Sequence, residues 1–183
     1  NEIGYQLIEW VLDDNIKENP IVNKNLFKKV KNIKKTTGIE INSICCDYFM
    51  TNSLSKHSES YKEKNLEILN FLIEESCPEN NIKIIDLPLV GKESLKKREI
   101  AEDYKNLLIN LEKKIIDNNL MVSLETDLNP SELRGFLQNF NKEAISVNYD
   151  TGNSAFWKFD TKEEFLSYGS LISNVHIKDC TPK

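Results

Sequence analysis

The chain has 183 residues, a formal net charge of −5 at pH 7 and a hydrophobic content of 39%. This length is sufficient for one large domain with a substantial core, and the acidic balance disfavours a nucleic-acid-binding surface. Leucine, isoleucine and valine are spread along the chain, which argues against disorder, and no apolar run approaches the length of a membrane span. We therefore expect a single folded domain with neither nucleic acid nor membrane as a partner.

Strand and helix patterns alternate along the chain. Strand-like stretches begin near residues 5, 39, 82, 120, 144 and 172. Apolar residues at helical spacing predict helices over 25–37, 65–76, 94–118 and 129–140. Gly38 is expected to end the first of these, and Asn129, followed by Pro130, to begin the last as its N-cap. Another helix is expected to begin at Thr161, with a capping box at Glu164. A helix end is expected over residues 1–4, and irregular loops over 51–61 and 154–160. Strict alternation of this kind is typical of a parallel sheet.

Six strands fit either an open doubly wound sheet or most of a barrel. The open sheet normally has a glycine-rich phosphate loop after its first strand, but residues 12–20, LDDNIKENP, contain no glycine. We therefore predict an α/β fold, namely an incomplete (β/α)8 TIM barrel with about six strands. Because a complete barrel usually needs about 250 residues, residues 1–183 are expected to be a single barrel domain that lacks the first strand and the last strand.

Four cysteines are present, at positions 45, 46, 77 and 180, and none of them forms a CxxC pair. Structural zinc bound through cysteine is therefore disfavoured, and a reduced protein is the better interpretation. No basic, apolar leader of the kind that directs secretion is visible. These features together predict a cytoplasmic protein.

Three successive predicted strands end in side chains that can bind a metal. Glu125, Asp150 and His176 each lie on the polar face of their strand, in LMVSLET, AISVNYD and ISNVHIKD respectively. Neighbouring parallel strands lie about 5 Å apart, so the three side chains can converge on one divalent ion. Carboxylates suit Mg²⁺ or Mn²⁺, and an imidazole extends the choice to Co²⁺ or Zn²⁺. Such a site can bind a sugar with adjacent carbonyl and hydroxyl groups and stabilise an enediolate.

Several stretches resemble a known family: GYQLIEW, SICCDYFM, ETDL, NYDTGN followed by SAFW, and VHIKD. They are similar to the sugar phosphate isomerase/epimerase family, whose fold is the xylose isomerase-like TIM barrel. Within it, the resemblance is to L-ribulose-5-phosphate 3-epimerase and related ketose 3-epimerases. The resemblance implies a metal-dependent isomerase or epimerase that acts on a sugar or sugar phosphate. It also implies one divalent ion, with Mn²⁺ preferred and Co²⁺, Mg²⁺ or Zn²⁺ as alternatives.

The resemblance also implies roles for individual residues. Glu125, Asp150 and His176 match the first three metal ligands of the family, and Glu125 is in addition the catalytic proton-transfer group. The family's fourth ligand, a second glutamate from the last strand, has no counterpart before the chain stops at Lys183. This departure makes catalysis by residues 1–183 alone an open question.

Three further residues are candidates for substrate binding. Asn153 corresponds to a polar substrate contact three residues after the aspartate, and Lys178 to a lysine that meets a substrate oxygen or phosphate. Glu9 matches a carboxylate at the mouth of the barrel. A salt bridge to a neighbouring carboxylate equally explains Lys178, and a barrel ion pair equally explains Glu9.

Two alternative functions remain at this point. One is a DNA-repair phosphodiesterase similar to endonuclease IV, but that enzyme type binds three zinc ions with many histidines, and this chain has only His57 and His176. The other is a non-catalytic barrel fragment or binding module. The preferred partner is a small-molecule sugar or sugar phosphate, and assembly into a homo-oligomer is left open.

Overall fold

A single parallel sheet organises the molecule, and its strand order follows the chain from β1 to β6. The computed structural model describes residues 4–179. Each neighbouring pair of strands is parallel. The strands are β1 Leu7–Val11, β2 Glu40–Cys45, β3 Ile84–Leu89, β4 Met121–Thr126, β5 Ile145–Asp150 and β6 Ile172–His176.

Helices connect consecutive strands, as parallel pairing requires. They are α1 Phe27–Thr37, α2 Tyr48–Thr51, α3 Glu63–Phe71, α4 Cys77–Asn80, α5 Arg98–Asp117, α6 Pro130–Leu137, α7 Thr151–Trp157 and α8 Thr161–Tyr168. A π-helical turn, Leu72–Ser76, joins α3 to α4. None of the helices in the described range is both long and apolar enough to cross a membrane.

The sheet curves into a half-barrel that has an apolar outer face and a polar inner face. Alternate residues of the central strands pack under the helices, and Ile85, Leu124 and Val147 are at most 2% exposed. Burying each such side chain contributes about 1.5–3 kcal/mol. The intervening residues point inward, and several of them are polar yet buried, including Asp86, Ser123 and Asn148. Buried polar groups of this kind require hydrogen-bond partners, so the inner face is where chemistry is expected.

The predicted fold class is confirmed: six parallel strands with intervening helices form a half-barrel. The predicted end of α1 at Gly38 and the predicted start of α6 at Asn129 are also confirmed. Gly38 ends α1 in the left-handed conformation at φ 69°, and Asn129 caps α6 in a reciprocal capping box with Glu132. The absence of the first and last barrel strands stays a prediction. The helix end predicted over residues 1–4 lies outside the described residues, except for Gly4.

Two predictions between β5 and β6 were wrong. Residues 154–160 were expected to be a loop, but α7 begins immediately after Asp150, whose side chain accepts a hydrogen bond from the Asn153 backbone N–H. The cap of α8 is Asp160, which bonds the backbone N–H of Glu163, rather than the predicted box between Thr161 and Glu164. The carboxylate of Glu164 is instead buried and accepts three hydroxyl hydrogen bonds.

Candidate metal and active site

The three predicted metal ligands lie at the carboxyl ends of adjacent strands. Glu125 is the penultimate residue of β4, Asp150 ends β5 and His176 ends β6. Asp150 and His176 are direct partners in the register of β5 with β6. All three face the inside of the half-barrel, because strand alternation and register put them on the same face. The structure therefore brings the three side chains together at the edge of the sheet where α/β barrels keep their active sites.

The imidazole of His176 lies at the centre of this group. Its Nδ1 is 3.2 Å from Glu125 Oε2 and 4.0 Å from Asp150 Oδ2. Its Nε2 is 2.6 Å from Glu9 Oε1. Hydrogen bonds with Glu125 and with Glu9 raise the pKa of His176 to about 10, so the ring is a cation at neutral pH in this arrangement. One imidazole thus holds carboxylates from β4 and from β1 on its two nitrogens.

Asp150 makes two structural contacts in addition to being a candidate metal ligand. Its Oδ1 accepts a 2.8 Å hydrogen bond from the Asn153 backbone N–H and so caps α7. Its Oδ2 is 2.6 Å from the Lys178 ammonium. The lysine reaches this carboxylate by crossing Gly152, where a Cβ atom would lie only 2.5 Å from Lys178 Cγ. The absence of a side chain at Gly152 is therefore what lets Lys178 reach Asp150.

Asn153 bridges the end of β4 and the start of α7. Its side-chain amide donates a hydrogen bond to Glu125 Oε1, while its backbone N–H bonds Asp150. Glu125 is consequently held through both oxygens, by Asn153 on one and by the Asn148 amide and His176 on the other. It is only 7% exposed. A carboxylate fixed in this way has little freedom to rotate.

A second polar layer lies beneath the strand ends, and it was not predicted from the sequence. Asp86 on β3 is fully buried and accepts hydrogen bonds from Ser123 Oγ at 2.9 Å and from Asn148 Nδ2 at 3.0 Å. The same Asn148 nitrogen is 3.1 Å from Glu125 Oε2. Burial, reinforced by the nearby charge of Glu125, raises the pKa of Asp86 to about 7. Asn148 therefore links the buried acid to a candidate metal ligand.

Asp86, Glu125 and His176 form a second set of donors that could hold a metal ion, since their ligand atoms all lie within 4.8 Å of one another. The Asn148 Nδ2 atom already lies among them, at 3.0 Å from Asp86 Oδ2, 3.1 Å from Glu125 Oε2 and 2.9 Å from His176 Nδ1. An ion at the centre of this set would require the Asn148 amide to move. Asp150 is not one of these three donors, and its Oδ2 lies 4.0 Å from His176 Nδ1.

The chemistry of the group fits a divalent cation. Carboxylate oxygens with one imidazole nitrogen are ligands that Mn²⁺, Mg²⁺, Co²⁺ and Zn²⁺ accept. Within residues 4–179, four carboxyl groups meet here, and two basic side chains, His176 and Lys178, accompany them. The acids are Glu9, Asp86, Glu125 and Asp150. Because acids outnumber bases in a largely buried space, a bound cation would relieve their mutual repulsion.

Glu9 reaches the group from the opposite edge of the half-barrel. It lies on β1, and its Oε2 accepts a 2.9 Å hydrogen bond from the side-chain amide of Asn174, on β6. Burial opposes the charged form of Glu9, but hydrogen bonds from His176, Ser43 and Asn174 outweigh it and lower its pKa. Glu9 is therefore an ionised partner of His176. The barrel ion pair weighed from the sequence is present, and substrate binding by Glu9 stays a prediction.

The other histidine lies apart from this group. His57, in the segment between α2 and α3, has its Nδ1 2.9 Å from Asp103 Oδ2, and Asp103 belongs to α5. Its imidazole is exposed. Sequence reasoning missed Asp86 and Asn148, although a signal for Asp86 existed. An aspartate inside the otherwise apolar strand IIDLPL is costly to bury unless a partner offsets its charge.

Comparison with solved structures identifies the fold. D-psicose 3-epimerase, solved in the presence of D-fructose, superposes with a TM-score of 0.74 at 12% identity, covering 95% of this chain and 63% of that protein. L-ribulose 3-epimerase gives 0.71 at 16% identity, covering 96% and 60%. A sugar phosphate isomerase/epimerase from Parabacteroides distasonis gives 0.66 at 14% identity, covering 97% and 66%. This chain thus spans less than two thirds of each of these three proteins.

No curated protein matches the sequence. At these identities the structural similarities establish the fold alone, and they agree with the resemblance found in the strand motifs. The family model described as xylose isomerase-like TIM barrel matches residues 1–183, the whole of the sequence. The six parallel strands and the match over the full length lead to one conclusion: the chain belongs to the xylose isomerase-like TIM barrel family.

Proposed function

We propose that the protein is a metal-dependent isomerase or epimerase that acts on a ketose or ketose phosphate by proton transfer through an enediolate. The observation that carries the proposal is the approach of Glu125 and Asp150 to one nitrogen of His176, at 3.2 Å and 4.0 Å. The epimerase and isomerase neighbours support the same class of chemistry. The activity of the whole protein is therefore proposed from the site and the family together.

One divalent ion is the proposed cofactor, with Glu125, Asp150 and His176 as its protein ligands. Mn²⁺ is the first choice, and Co²⁺, Mg²⁺ and Zn²⁺ are the alternatives. When bound, such an ion supplies Lewis acidity toward the oxygens of a substrate. Asp150 is held ready for this role by α7, since its Oδ1 is fixed by the Asn153 backbone N–H.

Glu125 is the proposed proton-transfer group. A general base must reach the carbon-bound proton, and two contacts restrict the orientation of the Glu125 carboxylate. Asn153 donates to its Oε1, and His176 lies beside its Oε2. Its low exposure of 7% keeps bulk water away from the proton being moved.

Asn153 and Lys178 are the proposed substrate contacts. The Asn153 amide already donates to Glu125, so a substrate oxygen placed next to Glu125 would also lie next to this amide. The Lys178 side chain is 51% exposed and pairs with Asp150. Because this ammonium lies beside Asp150, a substrate oxygen or phosphate near the proposed ion would also lie near Lys178. A lysine is a suitable point charge for a phosphate.

The nuclease alternative receives no support from the site. A trinuclear zinc centre of the endonuclease IV type needs several histidines at the barrel mouth. The sequence has two histidines, and His57 is bound to Asp103 instead of joining His176. A non-catalytic binding module remains the competitor that the experiment has to exclude.

The test combines metal binding with proton exchange. Mn²⁺ titration followed by electron paramagnetic resonance measures binding, and a panel of ketoses and ketose phosphates in D₂O, followed by NMR, measures deuterium incorporation. The exchange assay uses the product of the complete reading frame. Glu164→Gln is the matched control, because it alters a buried carboxylate that contacts tyrosine and serine hydroxyls instead of His176.

We expect Mn²⁺ binding and exchange in the wild type and in Glu164→Gln. A wild-type protein that takes up no divalent metal contradicts the metal site. A protein that binds the metal but exchanges no proton on any ketose would be a metal-binding module, and the isomerase assignment would be abandoned.

A further inference from the structure

We propose that Glu9 is a positioning residue that keeps the His176 proton on Nε2 and thereby directs Nδ1 to the metal ion. The inference rests on the metal site proposed above. It gives Glu9 a role in the metal site rather than in substrate binding. The observations that carry it are the two different environments of the two ring nitrogens.

The imidazole separates two groups of side chains. On the Nδ1 side lie the candidate ligands, with Glu125 Oε2 at 3.2 Å and Asp150 Oδ2 at 4.0 Å. On the Nε2 side lies Glu9 Oε1 at 2.6 Å. The Glu9 contact is the shorter of the two hydrogen bonds that carboxylates make with this ring. An ion shared with Glu125 and Asp150 therefore lies on the Nδ1 side.

The contact between Glu9 and Nε2 favours one of the two tautomers of the neutral imidazole. A metal ion binds the neutral ring, which has one N–H and one lone pair. An ionised carboxylate only accepts hydrogen bonds, so Nε2 facing Glu9 has to be the nitrogen that carries the hydrogen. The opposite tautomer would point a lone pair at the Glu9 carboxylate. Metal-ligating histidines commonly donate their second N–H to such a carboxylate.

Glu9 is itself held in place for this role. Its second oxygen accepts a 2.9 Å hydrogen bond from the amide of Asn174, which lies two residues before His176 on the same strand. Ser43, on β2, also donates a hydrogen bond to Glu9. Neighbours from β2 and β6 therefore fix the carboxylate before it meets the ring. Pre-organisation of this kind is what a group that acts through another residue requires.

The sequence allows a direct test, because it contains only two histidines. Protein labelled with ¹⁵N-histidine is loaded with Zn²⁺, a diamagnetic probe, and two-bond ¹⁵N–¹H correlations assign the protonated and the metal-bound nitrogen. Comparison with His57→Gln distinguishes the signals of His176 from those of His57. We expect Nε2 protonated and Nδ1 bound to Zn²⁺.

Two substitutions at Glu9 extend the test to affinity. Glu9→Leu removes the acceptor and should raise the Zn²⁺ Kd about 10–100-fold. Glu9→Gln retains an acceptor oxygen, so its Kd should rise by less than about 10-fold, with the tautomer unchanged. Asp13→Asn is the control: it removes a carboxylate just beyond β1 that bonds the Asn15 backbone N–H and should leave the Zn²⁺ Kd unchanged.

The outcomes separate the two proposals. Zn²⁺ bound through Nε2, or Glu9→Leu with wild-type affinity and tautomer, overturns the role of Glu9 and leaves the metal site standing. Failure of the wild type to bind Zn²⁺ at all overturns the metal site, and the role of Glu9 falls with it. If Glu9→Leu does not fold, the wild-type tautomer and the Glu9→Gln affinity still decide the question.

Discussion

Replacing Asp150 with asparagine separates the proposed metal role of this residue from its structural roles. The carboxylate caps α7 through Oδ1 and pairs with Lys178 through Oδ2. Asparagine has nearly the same shape and keeps one oxygen acceptor, but it has no charge. The substitution therefore removes the ion pair and weakens any metal site while leaving the cap in place.

The expected change in the free energy of unfolding follows from these contacts. Asparagine and aspartate are about equally good N-caps, so the stability that the cap gives to α7 should be about unchanged. The Asp150 side chain is only 1% exposed, but that of Lys178 is 51% exposed, so solvent screens the pair from the lysine side and its loss should cost about 1 kcal/mol. The metal-free Asp150→Asn protein should therefore lose no more than about 1 kcal/mol, or about 2–4 °C in Tm. Asp150→Ala loses the cap as well, which adds about 0.5–2 kcal/mol.

Asp150→Asn should weaken metal binding much more than it weakens the fold. Outer residues that only orient a ligand change metal affinity about 10–100-fold, and removal of a ligand carboxylate should exceed that range. Urea denaturation in the presence of a chelator measures the stability of the metal-free protein, and Mn²⁺ titration measures affinity. Wild-type Mn²⁺ affinity in Asp150→Asn would refute the ligand role. A loss above about 3 kcal/mol in the chelated protein would show that Asp150 acts mainly in the fold.

Three further predictions concern other residues. Glu125→Gln, in the product of the complete reading frame, should bind Mn²⁺ and ketose but exchange the substrate proton at least about 10²-fold more slowly in D₂O; wild-type exchange would remove Glu125 from the mechanism. Gly152→Ala should displace Lys178 from Asp150 by steric overlap with Lys178 Cγ, and a crystal structure with the ion pair intact would contradict this. The hydrogen bond with Asp103 raises the pKa of His57, so NMR titration should show a value above 6.5 that Asp103→Asn abolishes. This pair stabilises the fold below the unfolded pKa, and the stabilisation is lost as pH rises through the folded pKa.

The sequence by itself determined the order and type of the strands. Period-two alternation in LMVSLET and ISNVHIKD identified both the strands and the face on which Glu125 and His176 lie, because side chains in a strand alternate between two faces. Regular alternation with helices then required parallel pairing. Local signals were equally sufficient at Gly38 and at Asn129, since helix caps depend on nearby backbone geometry.

Contacts between residues far apart in sequence could not be predicted in the same way. Asp86 and Asn148 are 62 positions apart, and their hydrogen bond exists because β3, β4 and β5 face one lumen. The contact of Glu9 with His176 spans 167 positions and depends on the curvature of the half-barrel. Curvature arises from the twist and packing of the whole sheet, which no local pattern encodes.

The difference between what the sequence predicted and what only the structure shows is clearest at Asp150. Its strand, its inward direction and its metal-binding chemistry follow from the order of residues in ISVNYD. Its link to Lys178 was decided by packing, because Gly152 leaves the space that the lysine crosses. Short-range periodicity thus determined which residues face the site. Only the tertiary structure determined which of them touch, since contact depends on the distances between strands that the curvature of the half-barrel brings together.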